Sequence, residues 1–421
     1  MKKLFVLLLV CFCVLIQSFA CAEERLHVAL VTNQNTCEIR TASDCVVRTE
    51  DGETTLKKGK YFVHIVDGKL AFDKKQVFSD NIILTNDSLV KAFTVNQRDY
   101  KGKLRISVEN DNLLVINDVP LETYLESVVP TKIMPIWPDE AIKAQAVAAR
   151  SYALHCKENS DAVYDLKATD SELRYLGTGK DVEKQAITKF IKETAGEYLV
   201  GVNGKAIYAI TTSSSGGQTE AVDGYYYLKS VKDFDEDCPD NKWEKRVSPY
   251  ILQNYVEQGG HPLGKLKSIL LSPMDEKGSD RNESGRVRYM ILTGEKGSAK
   301  LTGAELAKLL DLPSTLFDVK TGVPVPEKMD IPMVTEYGFE YGTKEMPIKV
   351  NESDKPVWSN LRKSYHIIGG DKDEMLTFKG KASGSGSGLS VWGARGMANA
   401  DETTTYKNIL AHYYPGTKLV K

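Results

Sequence analysis

Between residues 25 and 120, apolar and polar side chains alternate at period two in the runs RLHVALV, YFVHIV, KLRISVEN and NLLVINDV. That period buries one face of an extended chain, so it predicts short β-strands separated by breaks such as Asp67-Gly68. After residue 120 the period lengthens. PLETYLESVV predicts a short helix leading into the stretch VVPTKIMPIWPDEAIKAQAVAARSYAL. There Ile142, Ala146, Ala149 and Ala153 recur at helical spacing, a buried stripe of small residues that lets neighbours come close. Pro138 suits the first helical position, where its missing N–H costs nothing, and Asp139 and Glu140 fall in the first turn, where the helix dipole favours carboxylates. Gln145 lies on the buried face and requires internal hydrogen-bond partners.

Further along, VEKQAITKFIKETAG predicts a second helix, followed by strands in EYLVGV and AIYAITT around the hairpin signal Asn203-Gly204. SSSGGQTEAVDGYYYL reads as a small-residue loop, and VRYMILTG with AKLTGAELAKLLDL as strand, turn and helix. Pro324, Pro326, Pro332, Pro347 and Pro356 break every pattern between about 320 and 360, which predicts an extended surface excursion. Near the end, Gly384, Gly386 and Gly388 precede a predicted helix holding Trp392 and Met397. The glycine spacing is wrong for a dinucleotide fingerprint and too little chain follows for a βαβ unit, so these glycines are read as points of close backbone approach. The fold class expected is α+β: two closely associated domains of short, mostly antiparallel strands with packed helices around a groove. The expected divisions are a signal peptide over 1–22, a β-rich part over 23–120 and a main domain over 121–421.

Charge and chemistry narrow the picture. The 421 residues include 27% charged side chains with a net charge of −2, which excludes a polybasic nucleic-acid binder. Lys2 and Lys3, the apolar run 4–16 and Ala20-Cys21-Ala22 form the pattern of a secretory signal cut after Ala22. An uncleaved anchor, or lipidation at Cys21, is the alternative. Four cysteines follow the leader: Cys37, Cys45, Cys156 and Cys238. An even number outside the cytoplasm permits two disulfides, with Cys37–Cys45 across a short hairpin one pairing and buried free thiols the other reading. No metal or cofactor site is expected, since the histidines are scattered and C-x-x-C is absent. SSSGGQ lacks the G-x-S-x-G elbow, which argues against a serine hydrolase.

Several blocks point the same way. NDVPLETYLESVVP, WPDEAIKAQAVAARSYAL, SSSGGQTEAV with YLKSV, SGRV, LPSTLFDV and WGARGMANADETTTYKNILAHYYPGTKL occur in order over almost the whole chain after the leader. They resemble the stage II sporulation protein D (SpoIID) and LytB amidase-enhancer family. The resemblance implies lytic transglycosylases that cut peptidoglycan glycan strands, preferring strands stripped of stem peptides. One carboxylic acid serves that reaction: it protonates the leaving oxygen, then takes the proton of the sugar's own hydroxyl as an anhydro ring closes. A hydrolase would use two carboxyls.

The family's acid sits in V-V-P-x-E-M-P. Counting from Pro130, Lys132 takes its place; counting back from Met134, Ile133 does. Neither is an acid. A family histidine and glutamine correspond to Ser385 and Val391, a second glutamine to Leu173, and the zinc-binding Cys and His of some members have no counterpart in TTSSSGGQ. The leading expectation is therefore an exported cell-wall protein that binds peptidoglycan glycan strands, or modulates a cell-wall hydrolase such as an amidase, without the family's chemistry. The groove residues expected are Thr131, Lys132, Trp137, Ser215, Gln218, Ser385 and Trp392, each also open to a plain packing role. The competing expectation is an active lytic enzyme with a relocated acid, Glu126 or Glu140. A third is a structural envelope protein with no sugar affinity.

Overall fold

The structure, a computed structural model, describes residues 23–73, 76–86, 93–178, 182–239, 241–271, 283–320, 333–335, 338–340, 365–368 and 375–421. The expected leader 1–22, with Cys21, lies outside them, as does most of the proline-interrupted stretch 320–360. Within that stretch Met333–Thr335 pairs with Gly338–Glu340 as a hairpin. The architecture is α+β, with many short, mostly antiparallel strands in several small sheets, as the alternating pattern predicts. The chain forms two compact units. One comprises Met1–Ile136, Ala149–Tyr208 and Leu419–Lys421, the other Trp137–Ala148 and Ala209–Lys418.

The first unit is built on a seven-stranded and a six-stranded sheet. Arg25–Gln34 lies antiparallel to Asn112–Pro120 and parallel to the short strand Leu166–Lys167. Leu26, Val28, Val115 and Val119 are fully buried or nearly so, which is the outcome that period-two alternation encodes. Lys103–Glu109 continues the sheet beyond Asn112–Pro120. The helix Leu121–Val128 follows Pro120 directly and buries Tyr124 and Leu125. The second half of the helix Asp139–Glu158 belongs to this unit, where Arg150 is sunk among polar partners.

A Cys37–Cys45 bridge does not form. Thr36–Thr41 pairs with Gly59–Val66 and Phe93–Val95, while Cys45–Thr49 pairs with Gly52–Leu56 and Asn81–Thr85, so the two cysteines lie on strands of different sheets. The four cysteines are free thiols. Burial pushes the Cys37 thiol up to about 12 and, with the charge of Asp44, the Cys45 thiol up to about 11, so neither is readily ionised.

The second unit holds a three-stranded sheet of Lys242–Val247, Leu376–Lys381 and Phe317–Lys320, and a four-stranded sheet centred on Tyr289–Gly294 and Leu266–Leu271. Their apolar faces share one core with the helices Pro249–Gln258 and Gly303–Leu310. Elsewhere in this unit Thr211–Thr212 runs parallel to Leu389–Ser390, which opens into the helix Val391–Ala400. AIYAITT thus forms less strand than its pattern predicts: Ala206 bridges Val200 across the expected turn at Asn203-Gly204, and only Thr211–Thr212 is a strand. The glycines of GSGSG behave as expected. Gly384, Gly386 and Gly388 all have positive φ, and a Cβ on Gly388 or Gly386 would overlap the Ile210 carbonyl or the Arg286 guanidinium.

Candidate functional site

In the first unit, Val129–Thr131 forms a single 3-10 turn after the helix Leu121–Val128, and Lys132 closes it through its N–H to Val129 O. The Thr131 hydroxyl donates to Val128 O at 2.7 Å. Ile133 turns inward and is 5% exposed. The Lys132 ammonium instead lies 3.5 Å from Glu172 Oε2, with both side chains only 20% exposed. Burial holds the Lys132 ammonium below the usual lysine range, and the nearby charges of Glu172 and Asp170 act against that shift.

Glu172 is held there by a local device. Asp170 Oδ1 accepts from the N–H groups of Glu172 and Leu173 at 2.8 and 2.9 Å, and Asp170 also accepts from the Tyr152 hydroxyl. Such a carboxylate-to-backbone turn fixes the chain two residues on. Glu172 was missed by the sequence reading. Its one local signal is the D-x-E spacing, which says nothing of a lysine 40 positions away.

The two acids expected from sequence both have cationic neighbours. Glu126 faces Lys101 at 3.9 Å in the first unit. Glu140, in the second unit, has Oε1 at 2.9 Å from Lys143 Nζ, while Oε2 accepts from the N–H of Tyr406 at 2.6 Å. It serves its own first turn and the start of the helix Tyr406–Tyr413.

The remaining expected groove residues lie in the second unit. Trp137 and Trp392 come together, with ring centroids 4.9 Å apart, and the Arg395 guanidinium lies over the Trp392 ring at 5.2 Å. Trp137 is 6% exposed, so it offers little ring face to a ligand. Gln218 is exposed and donates to Ser230 Oγ at 2.9 Å, and Ser385 is exposed with its Oγ accepting from Ser387 N. Ser215 is fully buried. Its hydroxyl donates to Asp233 Oδ2 at 2.5 Å and its N–H to Asp235 Oδ2 at 2.8 Å, so it has no role as a free hydroxyl.

That serine belongs to a buried polar centre the sequence reading did not find. Asp233 also accepts from the Tyr413 hydroxyl at 2.6 Å and the Phe234 N–H at 2.9 Å. Arg286, from SGRV, donates to Ser215 O at 3.0 Å and to Thr315 Oγ1 at 3.2 Å. Burial and the charge of Asp233 raise the Asp235 carboxyl above its usual range, and Asp235 Oδ1 has no hydrogen-bond partner among the described residues. Gln145 is likewise buried without a partner for its amide, contrary to the expectation from its place on the helix. Each such group costs on the order of 1–3 kcal/mol.

A pH dependence follows for Asp235. A carboxyl whose folded pKa exceeds its unfolded value stabilises the fold most when protonated; that contribution is complete below about 3.8 and is lost as pH rises through the raised folded value. Asp235→Asn keeps an acceptor for the N–H groups of Ser215 and Gly216 and carries no charge. Thermal unfolding across pH 3–8 should show the variant gaining on the wild type as pH rises, and parallel curves would refute this.

The SpoIID family model, described as stage II sporulation protein, matches residues 109–200. Those residues hold the helix Leu121–Val128, the Lys132 turn and the helix Asp139–Glu158. Over those residues the chain is similar to the SpoIID family. It is 26% identical over 379 residues to the amidase enhancer of Bacillus subtilis, 86% of this chain but 50% of that protein. It is 26% identical over 250 residues to stage II sporulation protein D of the same organism, 54% of this chain and 66% of that protein. A Brachyspira hyodysenteriae protein is 25% identical over 368 residues, 85% of this chain and 82% of its own length. The chain thus spans about half the length of the amidase enhancer it matches.

Leu173 and Val391, the positions expected from the resemblance to replace family glutamines, are 2% and 4% exposed and are part of the core. Among the described residues no helix is long and apolar enough to cross a membrane.

Proposed function

We propose that this chain is an exported cell-wall protein that binds peptidoglycan glycan strands and acts alongside a cell-wall hydrolase, without the family's lytic chemistry. One observation carries the reading. At the expected place of the acid, the chain presents an ammonium, Lys132, already facing a carboxylate. A general acid for glycosidic cleavage must hold a proton at neutral pH and then take one back. Glu172 is engaged with that ammonium. Glu140 is committed to Lys143 and Tyr406 N. Two relatives bear names from sporulation and from amidase enhancement, which supports a cell-wall setting and a hydrolase partner.

A second reading keeps the enzyme active with a relocated acid, and the place of Glu172 next to Lys132 is the observation that favours it. Glu126 and Glu140 remain candidates beside it. Incubation with purified, peptide-stripped glycan strands separates the readings. The expected result is retention on sacculi with no anhydro-muramyl ends. Anhydro products that vanish in Glu172→Gln, Glu126→Gln or Glu140→Gln would establish the enzyme instead. Absence of retention on sacculi would leave a structural envelope protein.

A further inference from the structure

The three-stranded sheet of the second unit has one face in the core and one turned outward. Val247, Phe317, Val319, Leu376 and Phe378 pack inward. Trp243 is also on that side, lying over Gly380 with its ring centroid 6.3 Å from that of Phe317. The register sends the alternate positions outward: Lys242, Glu244 and Arg246 on one strand, Lys379 and Lys381 on the next, Asp318 on the third, all exposed.

The charges on this outward face are unevenly matched. Lys379 lies between Glu244 and Asp318 in the register and pairs with Glu244 at 2.6 Å. Lys242 stands directly opposite Lys381, and like charges across an antiparallel pair oppose each other. Neither of those ammonium groups, nor the Arg246 guanidinium, has an ion-pair partner among the described residues. Beside the opposed lysines the face is concave. A groove of about 660 Å³ is lined by both of them, with Leu316, Gly216 and the Ser284-Gly285 step of SGRV as its wall. A Cβ on Gly216 would meet Leu316 Cδ2 at 2.6 Å and Lys381 Cβ at 3.6 Å, so the wall stands on the lysine side of the sheet. Arg246, four residues from Lys242 on the same face, lies about 13 Å further along the strand.

We propose that this face binds an extended polyanion linked through phosphodiesters, a polyol phosphate chain of the cell wall. Lys242 and Lys381 share one phosphate, and Arg246 meets another further along. The inference goes beyond glycan binding and rests only on the cell-wall setting of the reading above. An anion between the two lysines removes their mutual repulsion, which no side chain of the protein does. The two free oxygens of a phosphodiester accept from separate ammonium groups, whereas carboxylates are best met by a forked donor, and only Arg246 supplies one. A flat bilayer surface does not follow a concave groove, which sets the polymer ahead of lipid headgroups.

The test uses the full chain with polyglycerol phosphate, polyglutamate of matched charge, vesicles of acidic phospholipid, and sacculi before and after removal of their phosphodiester polymers. Calorimetric titration should show polyglycerol phosphate binding more tightly than polyglutamate or vesicles, with affinity falling as salt rises. Lys242→Gln with Lys381→Gln should weaken it about tenfold, the size expected of two exposed charge contacts. Lys296→Gln with Lys308→Gln removes the same charge at exposed positions elsewhere in the unit and should leave it unchanged. Equal loss in the two double variants, or none in the first, would overturn the site. So would polyglutamate or vesicles binding as tightly. Retention of the wild type on stripped sacculi without binding of polyglycerol phosphate would refute the groove and leave glycan binding intact. Binding of polyglycerol phosphate and of native sacculi only would keep the groove and remove glycan binding.

Discussion

Arg150→Met should lower the unfolding free energy by about 3 kcal/mol. The Arg150 side chain is 1% exposed and grips both oxygens of Glu122 at 2.8 Å. The same guanidinium donates to Glu197 O at 2.8 Å and to Ile191 O at 3.3 Å. One side chain thereby joins the helix Asp139–Glu158 to the end of the helix Val182–Glu193 and to the helix Leu121–Val128. Methionine fills much of the volume but leaves two carbonyls and a carboxylate without their donor. The Glu122 side chain is 35% exposed and can rehydrate, which places the loss at the low end of the roughly 3–5 kcal/mol typical of a broken buried pair. Lysine should rescue little, because a single ammonium cannot reproduce a forked donor. Urea unfolding followed by far-ultraviolet circular dichroism is the measurement. A loss below about 1 kcal/mol would mean the guanidinium is far less central than its bonds suggest.

Gly393→Ala should be comparably damaging, for a different reason. Gly393 lies in the first turn of the helix Val391–Ala400, and a Cβ there would overlap both Asp233 Oδ1 and the Tyr413 hydroxyl. Ordinary overpacking costs about 1–3 kcal/mol. Here the displaced atoms belong to a fully buried carboxylate that also accepts from Ser215 and Phe234, so a shift in any direction weakens a charged hydrogen bond worth about 1.5–3 kcal/mol. A total of about 3–5 kcal/mol follows. Tyr413→Phe removes one of the two overlapping atoms and should cost less on the Gly393→Ala background than on the wild type, which a double-mutant cycle will read. Equal costs on both backgrounds would argue that the helix simply moves away.

The helix Asp139–Glu158 was legible because its signals are local: Pro138 at its entrance, acids in its first turn and small residues at helical spacing. The strands before residue 120 were legible for the same reason. AIYAITT misled because an apolar run reports burial and not hydrogen-bond partners: Ala206 makes a single bridge back to Val200 across the Asn203-Gly204 turn, and only Thr211 and Thr212 form a strand. The Cys37–Cys45 hairpin misled because closeness in sequence was taken for closeness across a ladder, while each strand found partners in its own sheet. At the candidate site, that neither Lys132 nor Ile133 is an acid could be read from the letters. The pairing of Lys132 with Glu172 could not, since Asp170 sets the approach through bonds to the backbone.

By itself the sequence determined the period of the strands before residue 120 and of the helix Asp139–Glu158, the order of the blocks that resemble SpoIID, and the absence of a carboxyl at residues 132 and 133. Those are properties of neighbours along the chain, where spacing and side-chain chemistry suffice. Only the tertiary structure decided that Ser215 is bound to a buried aspartate, that Trp243 lies over Gly380, and that Lys242 confronts Lys381. Each of these depends on register and packing between segments tens to hundreds of residues apart, and a period along one segment carries no information about which segment it will meet.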